Sequence, residues 1–96
     1  MTMPCSIAGD QAIGHAGFSP SSITPTTTNV LVMGASPHVV GDVIGPHVLG
    51  TSVHTGTVAD ASTTVLAGGK GVARLMDKGD CGALVLGSGG TVMVGG

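Results

Sequence analysis

The chain has 96 residues, of which 18 are Gly and five are Pro, and it carries one aromatic residue, Phe18, and a net charge of −2. Its three cations, Lys70, Arg74 and Lys78, fall within nine residues, so there is no spread basic field for a phosphate backbone and nucleic acid is excluded as a partner. A mean hydropathy of +0.52 with few charges is the opposite of a disordered composition, and no run approaches the ~18 apolar residues of a membrane span.

One domain, 1–96, is expected. A chain of this size buries only about two-thirds of the surface its unfolded form exposes, and a core without Trp or Tyr is thinner still. Something besides packing must help to hold it. Val, Leu, Ala and Met with abundant Gly favour short strands broken by turns, so the fold class is all-β. The start, "MTMPCSIAGDQ", has no charged n-region or apolar h-region, which predicts a chain made in the cytoplasm and not exported by the general secretory route. Cys5 and Cys81 are then read as a bystander and a metal ligand, and not as a disulfide.

In chain order, the first landmark is "AGD" with Gly9 and Asp10, followed five residues later by His15. The stretch 19–28, "SPSSITPTTT", reads as a connecting loop. "NVLVMG" at 29–34 is a short strand, apolar on both faces, that needs cover on both sides or a partner. "GASPHVVGD" at 34–42 ends at Asp42, and His47 stands five residues on. His38, inside this segment, is matched to Val72 of the later unit and reads as a lining or surface residue. His54 lies in "SVHTGTV", across the loop that begins at His47. "TVLAGG" at 64–69 repeats the strand, "GKGVARLMD" at 69–77 repeats the following segment 35 residues later, and Cys81 stands four residues past Asp77. "TVMVGG" at 91–96 is the third copy.

Repeated strand and turn units packed about one axis bring equivalent turns to one end. His15, His47 and Cys81 hold equivalent places, and His54 is the fourth candidate for a closed tetrahedral site of the kind zinc prefers. Such an ion contributes on the order of 10 kcal/mol to folding and, with four protein ligands, leaves no position for an activated water. The Met residues are read as apolar filler. Asp42, Asp77 and Asp80 could form a carboxylate pair, but aspartate closing a turn on nearby backbone amides is the commoner role. "AGGKGVA" fails the phosphate-loop pattern, because no Ser or Thr follows Lys70. The competing reading is a small Cys/His enzyme or redox protein with Cys81 as nucleophile.

The units "NVLVMGASPHVVGD" and "TVLAGGKGVARLMDKGDCG" resemble the PAAR-repeat family, which sharpens the tips of contractile phage tails and type VI secretion spikes. That family's unit runs roughly T-V-x-V-N-G-K-P-A-A-R-x-G-D with a later K-x-S-C-G. Thr64, Val65, Gly69, Lys70, Ala73, Arg74, Asp77, Lys78, Cys81 and Gly82 match it. Ser36, Pro37, Val39, Gly71 and Met76 depart from it. The resemblance runs from about residue 9 to the end and implies a conical, pseudo-threefold β domain. Zinc, with iron as the alternative ion, would be held at its apex by three histidines and a cysteine. The broad base would cap a trimeric β-helical spike protein, and the point would make transient contact with a target outer membrane. Cargo effectors are a further partner class that the resemblance admits, and the place of work is a virion tail tip, in the phage baseplate, or a secretion spike. No catalytic activity is expected.

Overall fold

The computed structural model describes residues 3–13, 20–27, 30–49, 52–80 and 82–95, and for 47–49, 52–54, 90 and 91 it describes the backbone alone. The described residues form nine strands and no helix: β1 (Met3–Cys5), β2 (Gln11–Ile13), β3 (Ser21–Thr24), β4 (Val43–Leu49), β5 (Ser52–Thr57), β6 (Leu66–Ala67), β7 (Lys70–Gly71), β8 (Leu84–Val85) and β9 (Gly89–Val94). The all-β expectation holds. Five strands make one sheet in the order β5-β4-β3-β2-β8, and β1 pairs with β9 and β6 with β7, all antiparallel.

The three aspartates of the repeat close three copies of one turn. In Ile7–Asp10, Val39–Asp42 and Arg74–Asp77 the fourth backbone N–H donates to the first carbonyl, at 2.9, 3.1 and 3.0 Å. The aspartate Oδ2 accepts the first residue's N–H at 2.9 Å in each copy. The third residue has positive φ, +98° at Gly9, +91° at Gly41 and +74° at Met76, the requirement of a type II turn. Only Met76 pays the left-handed penalty, about 1–2 kcal/mol for a residue with a Cβ, and its side chain is half exposed. Met76→Gly should therefore stabilise the protein, by about 0.5–1 kcal/mol once the greater chain entropy of Gly is subtracted. A urea midpoint lower than wild type would contradict this account of the turn.

The segments leading into these turns pair with one another in a closed cycle. Ser6 N–H donates to the Ala73 carbonyl (3.0 Å), Ala73 N–H to His38 (2.8 Å) and His38 N–H to Ser6 (2.9 Å). Two residues on, a second ring runs in the opposite sense: Ala8 to Ser36 (2.7 Å), Val40 to Gly71 (2.9 Å) and Leu75 to Pro4 (2.9 Å). Isolated bridges Ile7↔Pro37, Val39↔Val72 and Cys5↔Arg74 complete the cycle. Closure lets short segments satisfy their backbone groups without leaving an open edge at the centre. It also corrects the matching of His38: its equivalents are Ser6 and Ala73, and Val72 is the equivalent of Pro37. Nor does His38 lie at the surface, since all three ring residues are 0 % exposed.

From each turn a hairpin departs, returns, and pairs with its neighbour. The first runs out on β2 and back on β3, and the second out on β4 and back on β5. The third is short, with Lys78 opposite Leu84 of β8. β3 also pairs with β4, β8 pairs with β2, and Val58 bridges Gly79, so each return meets the next unit. The stretch 19–28, expected to be loop throughout, contains β3. Local composition there is poor for a strand, yet Ser21 and Ile23 are buried while Ser22 and Thr24 are exposed, and pairing on both sides overrides propensity. Ala12, Ile23, Ile44, Val58, Ala73, Ala83 and Val85 form the core between these hairpins.

The three superposed segments supply a second set of antiparallel pairings, the first two of them hairpins. Val32 opposes Ala35, Ala67 opposes Lys70, and Val94 opposes Met3. In the first two a two-residue turn with both φ positive, Met33-Gly34 and Gly68-Gly69, matches the right-handed strand twist. The third joins strands from opposite ends of the sequence. Ala67 and Val94 face inward with Cys5, Val39 and Val72, and Val32 packs against them. Of the strand expected at 29–34, the described residues 30–34 keep the single bridge at Val32. Its other face is bare: Leu31 is 63 % exposed, and its counterparts Leu66 and Met93 are 59 % and 50 % exposed.

Candidate metal centre

Each proposed ligand belongs, by chain order, to the outer part of a hairpin that leaves the ring. His15 falls between β2 and β3 and lies outside the described residues, as does Cys81, between Asp80 and Gly82. The turn that spans Cys81 is described at its ends, where Gly82 N–H donates to the Gly79 carbonyl at 3.0 Å and Gly79 N–H to Ala83 at 2.8 Å. His47 and His54 are α-carbon partners directly opposite one another in the β4–β5 register. Directly opposed residues of an antiparallel pair share a face of the sheet, so one hairpin places two imidazole-bearing positions side by side. Among the described residues no group of three or more His, Cys, Asp or Glu could hold a metal ion; His15, Cys81 and the side chains of His47 and His54 are not among them.

The remaining candidates have other employment. His38 Nδ1 lies 2.8 Å from Ser6 Oγ inside the ring, remote by topology from the hairpin ends. Cys5 is buried and free, and burial, with a smaller push from Asp10, raises its thiol to about 11, which makes it inert as a nucleophile or ligand. The aspartates act as turn closers. Besides its own turn, Asp10 Oδ2 accepts Ser88 N–H at 2.8 Å, and Asp42 Oδ1 accepts the Thr26 hydroxyl at 2.6 Å. Asp77 takes Arg74 Nε and Nη2, each at 3.0 Å, and Asp80 takes Thr57 N–H at 2.9 Å and its hydroxyl at 3.1 Å. The reading of the Met residues as filler needs correction: Met33, Met76 and Met93 are 59, 52 and 50 % exposed.

Two features escaped the sequence reading. The ring could not be seen, because backbone bonding across segments 32 and 35 residues apart leaves no side-chain signature. The bare apolar positions could have been found. Leu31, Leu66 and Met93 each hold the third place of a superposed segment, and comparison of the copies place by place picks them out.

No protein-family model matches the chain, and no curated protein matches it.

Proposed function

We propose that the chain is a spike tip of the PAAR-repeat kind, a pseudo-threefold β cone that caps the blunt end of a trimeric β-helical spike and gives it a point. The observation that carries this reading is the trio Leu31, Leu66 and Met93, exposed at equivalent positions on three equivalent antiparallel pairings. Apolar side chains repeated in this way invite a partner that offers the same contact three times, which the end of a three-chain spike does.

On the other set of hairpins, those that leave the aspartate turns, His15, His47, His54 and Cys81 would hold one zinc ion, with iron as the alternative. The ion supplies cross-linking and no chemistry, because four protein ligands close its coordination sphere. It joins the outer parts of all three hairpins, which the thin core leaves least supported. The work is mechanical, one thrust through a target envelope, from a phage tail tip or a type VI secretion spike.

Native mass spectrometry of the chain mixed with a purified trimeric β-helical spike domain tests this. The expected species contains one chain, three spike chains and one zinc ion, and Cys81→Ser should keep the protein ratio while losing the ion. A complex of any other protein ratio, or a wild-type chain purified from zinc-replete cells without stoichiometric metal, would overturn the corresponding half of the proposal.

A further inference from the structure

The central ring has three equivalent positions and room for one large side chain. Ser6 and Ala73 are small, and His38 fills the space; all three are 0 % exposed. The Ser6 hydroxyl satisfies Nδ1 in either tautomer, by donating to the bare nitrogen or accepting from Nδ1–H. Nε2 is buried without a hydrogen-bond partner. The Ile23 carbonyl favours a ring proton but forms no well-aligned bond to that nitrogen.

The groups packed around the ring decide its charge state. Asp42 and Asp10, from two of the turns, favour the imidazolium, but both carboxylates already serve turn and loop donors. Cys5, next to Ser6, is held as the neutral thiol. The third segment brings Arg74 and Asp77, which neutralise each other at 3.0 Å, and β3 brings no titratable group. Burial outweighs the carboxylates and lowers the imidazole from its ordinary 6.5.

We propose that His38 makes the fold acid-sensitive at its centre: the neutral imidazole fills the ring, and a charged one destabilises it. Above pH 6.5, the ordinary value, native and unfolded chains are both neutral at this site and it has no effect on stability. Below that pH the unfolded chain takes a proton that the native ring refuses. The unfolding equilibrium constant then rises by up to about tenfold per pH unit until the native histidine titrates too.

The test compares urea unfolding of the full chain with that of His38→Gln at pH 7.5, 6.5 and 5.5. His15, His47 and His54 are present in both proteins alike, so the difference reports His38. Wild type should lose stability to acid more steeply than the variant, by several-fold in the equilibrium constant between pH 6.5 and 5.5, and parallel losses would overturn the proposal. If His38→Gln does not fold, long-range ¹⁵N imidazole NMR of wild type decides. The His38 ring should titrate below its ordinary 6.5 in the native protein, and a native titration midpoint at or above 6.5 would overturn it.

Discussion

Gly71→Ala should cost about 3 kcal/mol, the upper end of what a forced methyl group does in a packed site. A Cβ at this position would fall well inside contact distance of the Ser62 carbonyl oxygen and 3.2 Å from Ala61 Cβ. The first obstacle is backbone and cannot rotate away. Ser62 N–H donates to the Val72 carbonyl at 2.9 Å, and the Ser62 hydroxyl accepts Val65 N–H at 2.9 Å while donating to the Gly95 carbonyl. Pushing Ser62 aside therefore disturbs β7, the start of β6 and the end of β9 together. Gly71 also contributes its carbonyl to the second ring, accepting from Val40 N–H. For a domain this size the loss corresponds to roughly 12–24 °C in Tm. Gly69→Ala is the control. It has open space around its Cβ but φ of +81°, so it should lose only about 1 kcal/mol, from backbone strain. Equal losses at the two positions would mean that crowding by Ser62 is not what keeps Gly at 71.

Gly71 also illustrates why parts of this fold were legible and parts were not. The need for Gly at this position has its cause in a segment nine residues upstream that no local pattern reveals. The aspartate turns were legible because their chemistry is contained in four residues: a carboxylate that reaches back to an N–H three positions earlier, and a residue able to take positive φ. The three superposed strands were legible as copies, but Val94 finds its partner in Met3 at the opposite end of the sequence, so pairing could not be inferred from proximity. β3 was hidden because Ser21, Ser22 and Thr24 carry no strand signal beyond alternation about Ile23, and what holds them is β2 on one side and β4 on the other. The buried place of His38 was hidden for the same reason as the ring. Its surroundings come from residues 6, 10, 23, 42 and 73, which sequence order scatters. Of the candidate centre, the structure adds the facing positions of His47 and His54.

Replacing Leu31, Leu66 and Met93 together by Asp should abolish capture by a trimeric β-helical spike while leaving the fold unchanged. All three are at least half exposed, and substitutions at such positions ordinarily change stability by less than about 0.5 kcal/mol. Binding is affected far more, because each carboxylate would be pressed unpaired against an apolar contact, at about 2 kcal/mol or more per site. One such loss is roughly thirtyfold in Kd. Three sites would move even a nanomolar complex beyond detection, allowing for incomplete additivity between neighbours. The pattern among single variants is as informative as the triple. Since the three residues hold equivalent positions on equivalent antiparallel pairings, Leu31→Asp, Leu66→Asp and Met93→Asp should weaken binding by comparable factors. Val43→Lys, another half-exposed apolar position but on β4, should leave it unchanged. Surface plasmon resonance against the immobilised spike, with thermal unfolding of each variant alongside, separates docking from folding. A single dominant residue among the three, or equal weakening by Val43→Lys, would show that the contact does not follow the threefold repetition of the pairings.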